Sequence, residues 1–415
     1  MLPTPRTELA HSADVVASAQ LARAHGRLGI DTEFMSEGRY CALLCLTQVA
    51  VDDPAEPSGI RTILIDGLDD SVDVTPLAEL LADPDIEIIL HAGRQDVAIL
   101  RRAWHTEVTH IFDTQIAAGF AGEPAQAGYG NLVSAMLKQR VSKTASYTRW
   151  DTRPLTPEQL SYAIEDVAHL FELADTIKLR LRQSGRLQWA FEECRRLEGM
   201  SDERDPDTVW ERLPRMNSFD GRARAVARRL AAWRERTAAA ENRPPSQIVQ
   251  DQPLTEIAKR HPTDINALGQ IRGVHPSVVR RRGEQIIAAV RAGLDDPPIA
   301  REHHGTKSDP SDVPLIALAE ALLRGRAIDQ GLAYELLATR AELEQIVAAI
   351  RLNKPEPSVR TLQGWRREIV GAEVKGLISG HTAIAVSSTH RIELYDFGHG
   401  EALIDEAGNF VGLSG

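Results

Sequence analysis

Cysteine is scarce in this chain, with 3 among 415 residues, at positions 41, 45 and 194. An odd trio set in apolar or helical stretches reads as buried thiols, and a cytoplasmic location fits it. No Cys/His spacing suits a zinc site. Long hydrophobic runs are lacking too: none approaches the roughly 20 residues that span a bilayer. The opening MLPTPRTELAHSADVV has no charged segment followed by an apolar one, so no signal peptide is expected. Nothing in the sequence calls for a membrane or for an obligate protein partner.

What is present is an ordinary globular composition, 43% apolar and 26% charged, at a length that suggests two to three domains. Net charge is −11, which looks wrong for a nucleic-acid binder, but the charge is unevenly spread. Residues 1–200 hold 19 Lys+Arg against 29 Asp+Glu, a net of −10. From Asp220 to Leu294 there are 14 against 7, a net of +7. A basic module is therefore attached to an acidic one, and only the former needs to track a phosphate backbone.

The first 200 residues alternate between two patterns. Short apolar runs at Leu28–Phe34, Cys41–Val51, Arg61–Ile65, Ile86–His91 and Thr109–Phe112 predict strands. Helical periods appear at Val15–Ala24, Pro76–Leu81, Asp96–Ala103, Asn131–Leu137 and Pro157–Arg182. Short links between the first three strands and helices between the later ones predict an α/β fold. Its mixed sheet would be antiparallel at the start, parallel afterwards and covered by helices. A polar stretch near Met200–Asn217 reads as a linker. Two helical regions of similar rhythm follow, 219–294 and one from about Leu315, consistent with a diverged duplication. From His381 onward, alternation in Ala383-x-Ala385-x-Ser387 and Arg391–Tyr395 predicts short strands.

Against this background the acids stand out. Asp31 and Glu33 lie two apart in an apolar strand, so both carboxylates point to one face, where unpaired charge is costly. Asp96 ends the run IEIILHAGRQD, at a strand-to-helix junction of the kind where α/β proteins place ligands. Tyr162 and Asp166 are spaced i,i+4 on a helix that Thr156, Pro157 and Gln159 start with a capping box. Dispersed carboxylates gathered on one site are what a pair of divalent cations needs, and such a pair hydrolyses phosphodiesters. Asp113 and His91 read as structural residues at strand ends.

In order and context, DTEF on the first strand, HAGRQD at the junction and YAIED in a late helix resemble the DEDD superfamily of 3′→5′ exonucleases. Within it they resemble the ribonuclease D family. IFDTQ at 111–115, KTASYTRWDTRPLT at 143–156 and the basic helical module extend the likeness, and that module resembles a helicase-and-RNase-D C-terminal (HRDC) domain. The resemblance implies a ribonuclease H-like five-stranded mixed sheet with flanking helices, followed by two small all-α HRDC-like domains. The divisions are 1–205 for the exonuclease, 216–297 for the HRDC domain, 312–380 for a second HRDC-like domain, and 381–415 for a strand-like tail that the family pattern does not explain. The residue five before the last aspartate, a histidine in one subclass, is Ser161 here. The tyrosine subclass's position is Tyr162. Arg149 departs from the pattern, standing where relatives often carry an acid.

The resemblance further implies that Asp31, Glu33 and Asp166 hold one Mg²⁺ or Mn²⁺ and that Asp31 bridges to a second, which Asp96 helps position. Tyr162 would orient or deprotonate the attacking water, and 5′-mononucleotides would leave RNA 3′ ends, those of tRNA precursors foremost. Lys143 and Arg153 are candidates for contact with the substrate strand. Arg228, Arg272, Arg280 and Arg281 are candidates for phosphate contact in the basic module. Two alternatives are a DNA-directed exonuclease of the same superfamily and a catalytically silent RNA-binding protein.

Overall fold

The structure, a computed structural model, describes residues 8–141, 149–300 and 309–396, with two further strands, Ala402–Ile404 and Phe410–Leu413. Its first half is built on strands β1 (Arg27–Met35), β2 (Leu43–Asp52), β3 (Ile60–Asp66), β4 (Glu87–Leu90) and β5 (Ile111–Asp113). They form one sheet in the order β3-β2-β1-β4-β5. β2 runs antiparallel to β1 and β3, while β4 and β5 run parallel to β1. The sheet is therefore the mixed one that the spacing predicts. Helices α1 (Ser12–His25), α2 (Thr75–Leu81), α3 (Arg94–Ala103), α4 (Thr114–Phe120), α5 (Tyr129–Leu132), α6 (Pro157–Ala168), α7 (Leu170–Gln183) and α8 (Leu187–Glu198) accompany it.

Alternation along the strands divides these helices between the two faces. Leu28, Ile30, Ile88 and Leu90 pack with Val15 and Ala19 of α1, Leu77 and Leu80 of α2, and Val97 and Leu100 of α3. The intervening Ala50, Ile89 and Phe112 pack with Phe120 of α4 and with Leu173 and Ile177 of α7. Phe112 and Phe120 are fully buried, and each such side chain contributes about 1.5–3 kcal/mol. Gly29 lets β1 approach α7: a Cβ there would stand 3.2 Å from the Phe171 ring.

The helical period from Pro157 to Arg182 is not one helix. It breaks at His169 (φ −112°), where the backbone amide donates to the Tyr129 hydroxyl at 3.0 Å. An aromatic hydroxyl supplied from another segment is a tertiary feature that periodicity does not carry.

The basic region forms α9 (Gly221–Ala240), α10 (Pro245–Ile248), α11 (Asp251–Arg260), α12 (Ile265–Gly269) and α13 (Pro276–Asp295) around Leu230, Ile257, Leu268 and Ile286. It meets the sheet half through Tyr40, whose backbone amide donates to Asn242 Oδ1 at 3.2 Å. The next helices are α14 (Asp312–Gln330), α15 (Tyr334–Leu337), α16 (Arg340–Arg351), α17 (Gly364–Arg366) and α18 (Ala372–Ile378). Unlike the first helical set, these share a core with the sheet half. Trp365 stacks on Trp189 at 5.1 Å and meets Phe120 edge-on at 5.2 Å, while buried Arg366 binds Glu193 of α8. The expected short strands are β6 (Thr382–Val386) and β7 (Ile392–Asp396), which pair as an antiparallel hairpin and lay Ile384, Ile392 and Leu394 on that core. The two short strands beyond it also pair antiparallel. Among the described residues no helix is long and apolar enough to cross a membrane.

Candidate active site

The site forms where β1 outruns its parallel neighbour. β4 pairs with β1 only over Arg27–Gly29, so Asp31 and Glu33 lie beyond the end of that ladder. Both project to the face covered by α6 and α7, and α6 brings Asp166 to them. Carboxylate oxygens of Asp31, Glu33 and Asp166 lie within 4.8 Å of one another. The capping box holds the start of α6, with Thr156 N donating to Gln159 Oε1 at 2.8 Å and Gln159 N to Thr156 Oγ1 at 3.2 Å. One turn before Asp166, the Tyr162 hydroxyl donates to its carboxylate, and the Tyr162 ring packs 6.2 Å from that of Trp150.

Asp96 arrives from the other face. It sits in the first turn of α3, is 8% exposed, and accepts a hydrogen bond from Thr32 Oγ1. Thr32 lies between the two acids of β1 and so projects to the α3 side of the sheet. Asp96 therefore reaches the cluster around the open edge of β1 and is not part of the tight trio. Gly93 caps α3 where a Cβ would collide with the Leu90 side chain at 2.4 Å. Asp113 fixes the same junction, accepting from Gly93 N at 2.9 Å and from Gln115 N at 2.8 Å, which is the structural role expected of it.

Burial and mutual repulsion set the electrostatics. Burial first, then the charges of Asp96, Asp166 and Glu33, hold the Asp31 carboxyl well above the usual range. Burial together with Asp166 and Asp96 pushes Glu33 up to about 8. Burial lifts Asp166 to about 7 against the Tyr162 hydrogen bond, and lifts Asp96 to about 6 against the hydrogen bond from Thr32. The Tyr162 phenol is raised as well, by burial and then by Asp166. Burial drives His91 down to about 4, and its Nδ1 pairs with Thr114 Oγ1 at 3.0 Å, so it is a neutral strand-end histidine. Repelling hard-oxygen donors at this spacing fit a hard divalent cation, which relieves the repulsion that raises them.

A scan against protein-family models matches a 3′-5′ exonuclease over residues 8–182 and an HRDC domain over residues 223–290. Ribonuclease D of Gluconacetobacter diazotrophicus is 34% identical over 380 residues, covering 91% of this chain and 93% of its own. The chain belongs to the ribonuclease D family. A second relative, ribonuclease D of Zymomonas mobilis, is 36% identical over 90% of this chain and 95% of its own. Among solved structures, Escherichia coli RNase D, an exoribonuclease involved in structured RNA processing, superposes with a TM-score of 0.76 at 26% identity. That match covers 90% of this chain and 98% of the other. The protein is thus an enzyme of the 3′→5′ exonuclease class, with a ribonuclease H-like sheet and an HRDC domain.

The basic residues divide sharply within this ribonuclease D architecture. Arg153 spends all five guanidinium donors inside the fold, on both Asp66 oxygens and on the carbonyls of Cys45, Trp150 and Thr152. It tethers the segment before α6 to the sheet and has no donor left for a substrate strand. Arg228 is likewise paired, with Asp296 at 3.0 Å, and Arg224 and Arg234 of the same helix are buried. Arg272, Arg280 and Arg281 are exposed on the HRDC surface. Lys143 lies outside the described residues. Thr32 and Tyr129 are site residues that sequence reasoning missed. Thr32 sat in view inside D-T-E, but its target lies 64 positions away.

Proposed function

We propose that this protein is a divalent-metal-dependent 3′→5′ exoribonuclease that releases 5′-mononucleotides from RNA 3′ ends, with tRNA precursors as the substrate class. The observation that carries this reading is the convergence of Asp31, Glu33 and Asp166 within 4.8 Å, with the Tyr162 hydroxyl on Asp166. The names of its relatives support RNA as substrate. Asp31, Glu33 and Asp166 would hold one Mg²⁺ or Mn²⁺, and Asp31 with Asp96 a second. When bound, the ions lower the pKa of the attacking water and neutralise charge on the departing 3′ oxygen.

The chain's own groups do the rest. Burial and then Asp166 raise the Tyr162 phenol in the metal-free fold, which suits it to orient the water, while deprotonating the water would need the field of the bound ions. Its hydroxyl donates a hydrogen bond to Asp166, which leaves the phenolic oxygen free to accept one from the water it aligns. Asp96 is tied to Thr32 through one oxygen, and its other oxygen would serve the second ion. Arg272, Arg280 and Arg281 would track phosphates without reading bases. In this division of labour residues 1–205 carry the chemistry, 216–297 hold the RNA, and 312–380 brace the catalytic half.

The deciding experiment incubates the protein with Mn²⁺ and 3′-labelled RNA and DNA of one sequence. Labelled mononucleotide from RNA supports the proposal. Equal or faster release from DNA makes the enzyme DNA-directed, and RNA binding with no release makes it a silent binding protein.

A further inference from the structure

Directly across the β1–β2 ladder from Asp31 stands Gln48. The cross-strand neighbour in register projects to the same face of the sheet, at a Cβ separation of about 4.5–5.5 Å. Gln48 is fully buried, and among the described residues neither its Oε1 nor its Nε2 has a hydrogen-bond partner. That is costly, since each unsatisfied buried polar group destabilises a fold by about 1–3 kcal/mol. An apolar side chain of similar length would fill the place, as Leu46 and Ala50 do on either side of it along the same face. A primary amide kept there at a loss to stability needs a partner that the resting fold does not supply. The next residue on that face of β1 is an aspartate whose ionised form has lone pairs to satisfy.

We propose that Gln48 is a positioning residue, whose side-chain N–H groups bind an Asp31 carboxylate lone pair left free by the metals when the site is loaded. Resting on the metal-site reading above, this assigns Gln48 an outer hydrogen bond to a metal-ligating carboxylate. Groups of that kind orient the ligand, and their loss typically costs 10–100-fold in metal affinity or activity. The strand pairing supplies the geometry: the antiparallel ladder fixes the Asp31–Gln48 register, which keeps the two Cβ atoms close enough for the amide to reach the carboxylate by side-chain rotation.

The test uses the full chain with Q48M and Q48L, two apolar replacements of similar length, and D31N in parallel. Two quantities are read: metal-free thermal unfolding, and binding of Mn²⁺ alone by calorimetric titration. The proposal expects Q48M and Q48L to unfold no earlier than wild type without metal, yet to bind Mn²⁺ 10–100-fold more weakly. kcat should fall with it, while KM for an RNA oligomer stays within twofold. If both variants melt earlier or fail to fold, the amide supports the resting structure and the proposal is overturned. It is equally overturned if they fold and bind Mn²⁺ as wild type does. D31N separates the two levels: were it also to bind Mn²⁺ normally, the metal reading itself would fall, whereas loss in D31N alone would reject only the role of Gln48.

Discussion

Substituting Glu33 with Gln should make the metal-free enzyme more stable while abolishing its activity. Glu33 ordinarily titrates near 4.5 and is pushed up to about 8 in the fold, by burial first and then by Asp166 and Asp96. Between those values the folded chain keeps a proton that the unfolded chain has released. Folding therefore takes up a proton, and stability falls as pH rises from about 4.5 to about 8. At ~1.4 kcal/mol per pH unit, the folded state at pH 7 has lost about 3 kcal/mol relative to pH 4.5 through this group alone. E33Q removes the loss at little change in shape. In EDTA at pH 7.5 it should unfold on the order of 5 °C or more above wild type, taking about 2–4 °C per kcal/mol for a unit of roughly 200 residues. At pH 4.5 the two should converge. Added Mn²⁺ should narrow or reverse the gap, because the ionised carboxylate of the wild type gains binding energy that the amide does not. Scanning calorimetry across pH, with and without Mn²⁺, reads all of this. An E33Q protein that melts at or below wild type in EDTA at pH 7.5, or a gap as wide at pH 4.5, would refute the reasoning.

Three other outcomes follow from the same geometry. Y162F should lower kcat about 100-fold with Mn²⁺ affinity unchanged, measured by single-turnover cleavage beside a metal titration. R366M should destabilise the protein by about 2–3 kcal/mol, read by denaturant unfolding, because it strips a charged hydrogen bond from buried Glu193 where the second helical set meets α8. Arg196 and Arg360 still flank that carboxylate and limit the loss. The triple change R272A/R280A/R281A should raise KM for RNA at constant kcat and flatten the log–log salt dependence of binding by about 0.7 per lost contact. A filter-binding series in KCl checks the slope.

Much of the site was legible because its geometry is local. The i,i+2 spacing of Asp31 and Glu33 and the i,i+4 spacing of Tyr162 and Asp166 each fix a shared face, whatever the rest of the chain does. The Asp96 junction was readable for a similar reason, as an apolar strand running into a helix start. What escaped depends on partners far away in the chain. Arg153 looked available until Asp66 and three carbonyls were seen to occupy it, and Arg228 until Asp296 was. The break at His169 needs Tyr129, 40 residues earlier. The shared core between α14–α18 and the sheet half rests on Trp365 and Arg366 meeting Trp189 and Glu193. A helical period gives each helix an apolar face without saying what that face meets, and it gives no sign that Arg366 and Glu193 are buried together.

The most direct test of the account is anomalous diffraction from crystals soaked in Mn²⁺. Two manganese peaks are predicted, one touched by Asp31, Glu33 and Asp166 and the other by Asp31 on the side of Asp96. Maps without manganese at the junction of β1 and α6, or with the metal bound elsewhere, would contradict it.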